Sequence, residues 1–410
     1  MLIGKGEDML RIGVDNIYEY GMKRNVYKKV LNGRTAYLEL KSYERRTIYR
    51  LIKMFHLNIS WQMNPGFFRS MMLDRCIFYI RPNTKDRNSS RVNLIHVWNQ
   101  TCRTDKPWVL SLETKLPHCI NAEQNLLTKA YSRYTSRRDI ELIRKENCRK
   151  IICFCKNTYN ELEASIKSID ISTWNEIKDK TTVLLPPQKK LIEDWEIEEK
   201  FSSDDWRIIF VGSDFWTKGG VEVILALAEL RNRYDFKLTL VSTMEEYHQM
   251  VHNPYYSSDE IQAIREMVKT ESWIDWYPKL DNRIVLKLMK RSHIGLFPSY
   301  GDTFGYVTLE MQASGCPVIT TSINAMTEIN NDAVGWVLTA TELEPYKGVK
   351  APKVRAALQI QITDALTDAF KNRELVRNKA INAADHIERD FSEDAFSCKM
   401  YDIYMDILRE

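Results

Sequence analysis

The stretch Pro298–Val318, PSYGDTFGYVTLEMQASGCPV, decides the fold of this 410-residue chain. It follows a short apolar run, Ile294–Phe297, which predicts a buried strand. A polar loop comes next, and the spacing of apolar residues predicts a helix over Tyr306–Ser314. A second apolar run, Pro317–Thr321, predicts another strand. Strand, loop, helix and strand in this order indicate a doubly wound α/β domain.

The loop after Ile294–Phe297 carries the residues best suited to chemistry. Ligands of an open parallel sheet bind beyond the carboxyl ends of its strands, so Asp302 is expected at the ligand crevice. Gly305 lets the backbone approach a ligand closely, and free N–H groups at the start of the helix can hold a phosphate. Glu310 lies among apolar residues of that helix, where a carboxylate needs a hydrogen-bonding partner such as a ribose diol.

A second loop lies upstream, in Ile208–Gly220, IIFVGSDFWTKGG. A predicted strand runs into this glycine-containing loop, and Lys218 opens a predicted helix. A diphosphate at this helix start would lie beside the positive charge of Lys218. A Lys-Gly pair that stands alone at a helix start is more often explained by simple helix capping. Neither loop has the P-loop pattern, and no G-x-G-x-x-G follows a strand, which argues against a dehydrogenase.

The segment from Asp302-Thr-Phe-Gly to Glu310, with the Ala-Ser-Gly-Cys-Pro-Val-Ile that follows, resembles a known signature. That signature is the two-carboxylate motif of retaining GT-B glycosyltransferases, the family-4-like group 1 enzymes. The resemblance implies that Asp302 acts near the donor sugar and that Glu310 binds the nucleotide ribose. It also implies donor contacts for Thr303, Phe304 and Gly305. The family usually has Glu at the position of Asp302.

The upstream loop resembles the same family at Gly212, Lys218 and Gly219, which would bind the donor diphosphate. Ser213 stands at the donor-site position where the family commonly has Arg, so Arg283 or a basic residue of the first domain would supply the second cation. The chain has no D-x-D motif, which metal-dependent glycosyltransferases of the other main fold generally use. We therefore expect no metal and no cofactor, with Lys218 and helix dipoles stabilising the leaving group.

The first half of the chain predicts another parallel sheet. Its evidence is a series of short apolar runs: Cys76–Ile80, Val92–Trp98, Trp108–Leu112, Lys150–Phe154 and Thr182–Pro187, with a helix over Asn157–Ile169. Glu113 follows the third run, where the family commonly has a catalytic His. Glu113 either accepts or orients the proton of an acceptor hydroxyl, or is a structural carboxylate. His118 is a weaker acceptor-site candidate, and His96 and His293 are predicted core residues.

Residues 188–205 are highly charged and predict a linker between two domains. We expect an α/β protein of the GT-B fold, with two Rossmann-like domains facing across a cleft. Residues 1–190 would bind the acceptor and residues 191–390 the nucleotide sugar. Residues 391–410 predict a helix which, by the resemblance, crosses back to pack on the first domain.

Charge is divided unevenly along the chain. Residues 1–190 contain 35 Lys and Arg against 19 Asp and Glu, a balance of +16, and the rest has a balance of −12. Two halves of opposite sign can simply attract each other, or the basic half can face anionic lipid, a phosphorylated acceptor or nucleic acid. Basic and aromatic residues interleave from Tyr20 to Phe55, as on a membrane-binding surface or a solvated helix face. A lipid-linked acceptor would explain patch and enzyme together, so we expect no nucleic-acid partner.

Eight cysteines lack the spacing of a zinc site, and several lie in apolar runs typical of buried thiols. There is no signal-peptide pattern and no apolar stretch of membrane-spanning length. These features favour a cytoplasmic protein, with at most peripheral contact with the cytoplasmic face of a membrane.

The predicted function is transfer of a hexose-type sugar from a UDP- or GDP-linked donor to a saccharide or lipid-linked acceptor. The resemblance implies retention at the anomeric carbon and a role in polysaccharide or glycoconjugate synthesis. Two alternatives stay open. One is a non-catalytic nucleotide-sugar-binding protein on the same scaffold, and the other is a nucleotide-sugar epimerase of the same fold.

Overall fold

The computed structural model describes residues 9–15, 35–40, 89–99, 101–114, 116, 137–245, 256–339 and 352–409. The chain divides into two compact units. Unit 1 comprises residues 1–187 and 393–410, and unit 2 comprises residues 188–392. The predicted strand Cys76–Ile80 and the candidate His118 lie outside the described residues, and the basic and aromatic stretch from Tyr20 to Phe55 is described only over Thr35–Leu40.

Unit 1 contains a six-stranded parallel sheet in the order β2-β1-β3-β4-β5-β6. Every residue of β3 and β4 is buried, because helices cover both faces of a parallel sheet. This burial is why both strands are continuous apolar runs in the sequence. Residues 137–144 are helical as well. The named elements are β1 Leu10–Asp15, β2 Thr35–Leu40, β3 Leu94–Trp98, β4 Trp108–Leu112, β5 Cys148–Cys153, α1 Lys156–Ile169, α2 Ile171–Ile177 and β6 Thr181–Val183.

The C-terminal helix, Glu393–Arg409, belongs to unit 1. The hydroxyl of its buried Tyr404 lies 2.7 Å from Nδ1 of His96 in β3. Nε2 of His96 lies 2.7 Å from the hydroxyl of Ser111 in β4. Burial lowers the pKa of His96 to about 3, so the ring is neutral. His96 is therefore a satisfied core residue, as predicted, and it ties the C-terminal helix to two strands.

Unit 2 contains a second six-stranded parallel sheet, in the order β12-β11-β10-β7-β8-β9. Numbered within the unit, this is the 3-2-1-4-5-6 arrangement of a doubly wound nucleotide-binding fold. Its elements are α3 Asp194–Phe201, β7 Arg207–Val211, α4 Gly220–Leu230, β8 Lys237–Val241, α5 Ser258–Thr270, β9 Ile274–Tyr277, α6 Asn282–Arg291, β10 Ile294–Phe297, α7 Tyr306–Ala313, β11 Val318–Thr321, α8 Met326–Ile329, β12 Gly335–Leu338, α9 Pro352–Lys371 and α10 Arg373–Asp390. The prediction of an α/β fold with two Rossmann-like units is confirmed.

The interpretation of residues 188–205 as a linker is wrong, because α3 lies within them. Ile197 of α3 is fully buried in a small cluster with Ile192, Ala380 and Ala384. Lys200 is buried too, and its Nζ donates to the carbonyls of Ser292 at 3.0 Å and Gly315 at 2.5 Å. This burial lowers the pKa of Lys200 to about 8. The partners that make α3 part of the unit are distant in sequence, and the charged sequence of the helix conceals its single apolar contact face.

The thiols match their sequence environment. Five described cysteines are buried, Cys102, Cys148, Cys153, Cys155 and Cys316, whereas Cys398 is exposed. Within the described ranges, no helix combines the length and the apolar character that crossing a membrane requires.

Candidate active site

The centre of the unit 2 sheet is its topological switch point. Strands β7 and β10 lie side by side there, although they are first and fourth in the chain order of the unit. Connections leave these two strands in opposite directions, so a crevice opens beyond their carboxyl ends. Residues 212–219 follow β7 and residues 298–305 follow β10. The two loops singled out from the sequence therefore flank the same crevice.

Both loops end in a glycine at the start of a helix. Gly219 (φ 75°) precedes α4 and Gly305 (φ 86°) precedes α7. An added Cβ at Gly219 would lie 2.3 Å from the carbonyl oxygen of Pro298, and at Gly305 2.1 Å from Cε of Met326. Neither cap residue supplies a side-chain hydrogen bond to its helix. The first N–H groups of α4 and α7 are thus suited to an anion.

Lys218 and Asp302 form an ion pair across the crevice. Nζ of Lys218 lies 2.7 Å from Oδ2 of Asp302 and donates to the carbonyl of Gly301 at 2.6 Å. It also lies 5.5 Å from the ring centroid of Phe297. Oδ1 of Asp302 accepts a 3.0 Å hydrogen bond from the N–H of Phe304. An ammonium group has three N–H donors, so these two contacts leave one donor of Lys218 for a phosphate oxygen.

The other predicted donor residues occupy the same two loops and the helix after them. Ser213 follows Gly212 and is exposed. Its carbonyl accepts a 3.2 Å hydrogen bond from the hydroxyl of Thr243. Thr303 is exposed, whereas Phe304 is fully buried. Glu310 is half-buried in the second turn of α7.

Arg283 lies at the start of α6. It was predicted to supply the positive charge that the family's Arg would supply at the position of Ser213. Its side chain is 89% exposed, and its Nε lies 3.1 Å from Oδ1 of Asp281. It is therefore engaged at the cap of its own helix. Its role beside Ser213 stays a prediction.

Glu113 lies at the carboxyl edge of the unit 1 sheet, directly after β4. Its N–H donates to Oδ1 of Asn99 at 2.8 Å. Its carbonyl accepts a 3.0 Å hydrogen bond from the hydroxyl of Thr158 in α1. The cap of α1 is Cys155, whose sulfur accepts from the N–H of Thr158 at 3.3 Å. The backbone of Glu113 is thus fixed from both neighbouring strand ends, with its side chain half-buried.

A buried polar network in unit 2 was not foreseen from the sequence. Glu222, in the first turn of α4, is 1% exposed and accepts from the hydroxyl of Tyr256 at 3.1 Å and from Nε of Arg355 at 3.1 Å. The guanidinium of Arg355 lies 4.1 Å from the ring centroid of Tyr256. Burial, and then the charge of Glu222, raise the pKa of Tyr300 in the second loop. The signal in the sequence was Glu222 itself, a charged residue in the apolar first turn of α4.

Residues 192–348, all within unit 2, match the family of glycosyl transferases group 1. An uncharacterized glycosyltransferase of Methanocaldococcus jannaschii is 24% identical over 185 residues, which cover 42% of this chain and 45% of that protein. The match thus spans less than half the length of this relative.

Solved structures share the fold over nearly the whole chain. A glycosyltransferase from Rickettsia africae has a TM-score of 0.56 at 15% identity, with coverage of 99% of this chain and 100% of that one. Anabaena HepE in complex with UDP-glucose has a TM-score of 0.57 at 11% identity, with coverage of 97% and 100%. Sucrose-phosphate synthase from Thermosynechococcus elongatus has a TM-score of 0.58 at 13% identity, with coverage of 98% and 99%. Residues 192–348 thus match the glycosyl transferases group 1 family, and the chain as a whole shares the GT-B fold with these solved structures.

Proposed function

We propose that this protein is a glycosyltransferase that uses a nucleoside-diphosphate sugar as its donor. The observation that carries the proposal is the Lys218–Asp302 pair at the switch point of unit 2. A positive charge, a carboxylate and two helix starts without side-chain caps converge there. This combination suits a ligand with a diphosphate at one end and a sugar at the other.

The donor diphosphate is proposed to accept hydrogen bonds from the first N–H groups of α4 and α7. It would also accept one from the remaining N–H donor of Lys218. Glu310 would bind the ribose hydroxyls, and Asp302 would face the sugar. Structures of Anabaena HepE with UDP and with UDP-glucose support a nucleotide-sugar donor for this fold. The proposed sugar is a hexose, and UDP and GDP are the candidate nucleotides.

In the proposed reaction the bond between the anomeric carbon and the diphosphate oxygen breaks, and the acceptor oxygen bonds to that carbon. Negative charge grows on the departing oxygen, where Lys218 and the helix N–H groups would stabilise it without a metal. The acceptor hydroxyl loses its proton, and Glu113 in unit 1 is proposed to accept or orient it. By family resemblance we propose retention at the anomeric carbon.

The acceptor is proposed to be a saccharide or a lipid-linked saccharide, as in polysaccharide or glycoconjugate synthesis. The excess of basic residues in the first 190 residues supports contact with an anionic membrane surface. The same excess would favour a phosphate-bearing lipid carrier near that surface.

A donor screen tests the proposal directly. UDP-glucose, GDP-mannose and ADP-glucose, each with its free diphosphate, are added to the protein, and the melting temperature is measured. A ligand at a hundred times its Kd stabilises the folded state by about 2.7 kcal/mol. We expect one nucleotide series to raise the melting temperature, and its sugar donor to be slowly hydrolysed in the presence of EDTA.

Two variants then locate the site. Lys218→Ala and Glu310→Ala are expected to abolish transfer and donor hydrolysis while the melting temperature without ligand is kept. Lys269→Ala is the matched control, because this exposed lysine lies in the last turn of α5, at the amino edge of the same sheet. Full activity of both site variants would exclude this site.

The same assays separate the two alternatives. Donor binding without hydrolysis, with any acceptor offered, would indicate a non-catalytic binding protein. Conversion of the donor into an isomeric sugar without an acceptor would indicate an epimerase.

A further inference from the structure

Strained backbone in the described residues is concentrated at the carboxyl edges of the two sheets. Three residues other than glycine have positive φ: Asn99 (50°), Met244 (54°) and Asn324 (46°). Asn99 directly follows β3, while Met244 and Asn324 lie three residues beyond β8 and β11. A left-handed conformation costs an L-residue about 1–2 kcal/mol, least for asparagine. Such strain persists where surrounding contacts fix it, and here all three cases lie beside a candidate ligand edge.

The side chain of Asn324 connects this strain to the donor loop. Its Nδ2 donates a hydrogen bond to the main-chain carbonyl of Asp302. Asp302 is then held at three points: by Asn324 at its carbonyl, by Phe304 at Oδ1 and by Lys218 at Oδ2. The contact from Lys218 comes from the loop after β7, and the contact from Asn324 comes from the loop after β11, on the other side of β10. The Asn324 contact therefore anchors the loop after β10 to the loop after β11.

Unit 1 repeats the arrangement. There Asn99 follows β3, and its Oδ1 accepts hydrogen bonds from the N–H groups of Glu113 at 2.8 Å and Thr114 at 3.4 Å. Glu113 and Thr114 directly follow the adjacent strand β4. In both units a left-handed asparagine beyond one strand holds the main chain of a carboxylate residue beyond an adjacent strand. The side-chain amide of Asn99 accepts a hydrogen bond through its oxygen, whereas that of Asn324 donates one through its nitrogen. The placement of the asparagine therefore recurs, although the direction of the hydrogen bond differs.

We propose that Asn324 is a positioning residue for the donor sugar. Its backbone turns left-handed so that its amide reaches the Asp302 carbonyl, and this bond fixes the Asp302 carboxylate beside Lys218. This inference rests on the proposed function, because it takes Asp302 to face the sugar of the donor. Asn324 itself acts through Asp302 and needs no contact with the ligand.

Three variants separate the amide from the backbone. Asn324→Asp keeps the size and the tolerance of positive φ but loses the N–H donor. Asn324→Gly keeps the backbone conformation and removes the side chain, and Asn324→Ala removes both features. The probes are UDP-glucose and UDP in isothermal titration, or GDP-mannose with GDP or ADP-glucose with ADP if the donor screen selects that series.

We expect all three variants to weaken binding of the sugar nucleotide by about five- to tenfold, as loss of one hydrogen bond to the site predicts. Binding of the nucleoside diphosphate without the sugar should stay within about twofold, because in the proposed arrangement Asp302 faces the sugar and the diphosphate is bound by Lys218 and the helix N–H groups. A merely structural role would weaken both ligands equally. Unchanged sugar-nucleotide binding by Asn324→Asp, or equal losses for both ligands, would overturn the inference alone. A wild-type protein that binds no sugar nucleotide would overturn the proposed function and this inference together.

Discussion

The helices beside the candidate donor residues of unit 2 begin differently from the helix beside Glu113 in unit 1. In unit 2, α4 and α7 start at Gly219 and Gly305, which offer no side chain to their first N–H groups. In unit 1, α1 starts at Cys155, whose sulfur already accepts from the N–H of Thr158. The edge of unit 2 is therefore suited to an anion supplied from outside. In unit 1, the cap of α1 already uses one of the helix N–H groups, and Glu113 lies beside it, with its carbonyl accepting from the Thr158 hydroxyl.

The residue that caps a helix thus changes how well the carboxyl edge of a parallel sheet can bind an anion. A glycine cap keeps main-chain donors available and lets the neighbouring loop come close. A cap with a side-chain acceptor stabilises its helix but uses one of those donors. Three predictions test the contrast, in order of decreasing effect.

The largest effect is expected at the glycine caps of unit 2. Gly219→Ala should lower the free energy of unfolding by about 3 kcal/mol, because the strained φ adds to a clash with the carbonyl of Pro298. Gly305→Ala should lower it by about 1–2 kcal/mol, because the clashing atom is the end of the flexible Met326 side chain. Urea denaturation measures both changes. Equal stability of Gly219→Ala and wild type would contradict the tight approach of the two loops.

Two of the buried histidines, His96 and His293, should respond alike to acid. Burial lowers the pKa of His96 in unit 1 and of His293 in unit 2 to about 3, against about 6.5 in the unfolded chain. The unfolded chain thus binds more protons between these values, and stability falls as the pH falls from 6.5 towards 3. Each histidine should account for about 2 kcal/mol of lost stability between pH 7 and pH 5.

Hydrogen exchange at pH 7 and pH 5 separates the units. His96→Gln should reduce the acid sensitivity of protected amides in unit 1, and His293→Asn should do so in unit 2. Nδ1 of His293 accepts a 3.0 Å hydrogen bond from the N–H of Arg207, and its Nε2 lies 2.9 Å from the carbonyl oxygen of Lys200. His293 therefore contacts residues of its own unit. Acid sensitivity that survives in both variants would show that carboxylates, not these rings, dominate the response.

The smallest effect is expected at the cap of unit 1. Cys155→Ala removes the sulfur acceptor at the start of α1 and should cost about 1 kcal/mol in urea denaturation. Cys155→Ser restores an acceptor and should recover most of this loss. Cys398→Ala is the control, because Cys398 is exposed. If the serine variant were as unstable as the alanine variant, packing and not capping would explain the contribution of Cys155.

Much of unit 2 was readable from local sequence. Strand Ile294–Phe297 and the start of α7 at Tyr306 agree with prediction, because apolar periodicity and flanking glycines are local signals. Trp108–Leu112 in unit 1 agrees as well, since a fully buried strand is a continuous apolar run. The same reasoning failed at α3, where a mostly charged helix presents its contact face to residues far away in the sequence.

The sequence by itself determined the order of the elements, the two glycine-capped loops and the types of residue at the candidate donor site. Only the tertiary structure decided that Lys218 pairs with Asp302, which lies 84 positions away, because the parallel pairing of β7 with β10 brings the two loops together. It also decided that Asn324 holds Asp302 and that Glu222 is paired with Arg355. Periodicity reports which face of an element is buried, whereas the partner on that face depends on strand order and register, which no local pattern specifies.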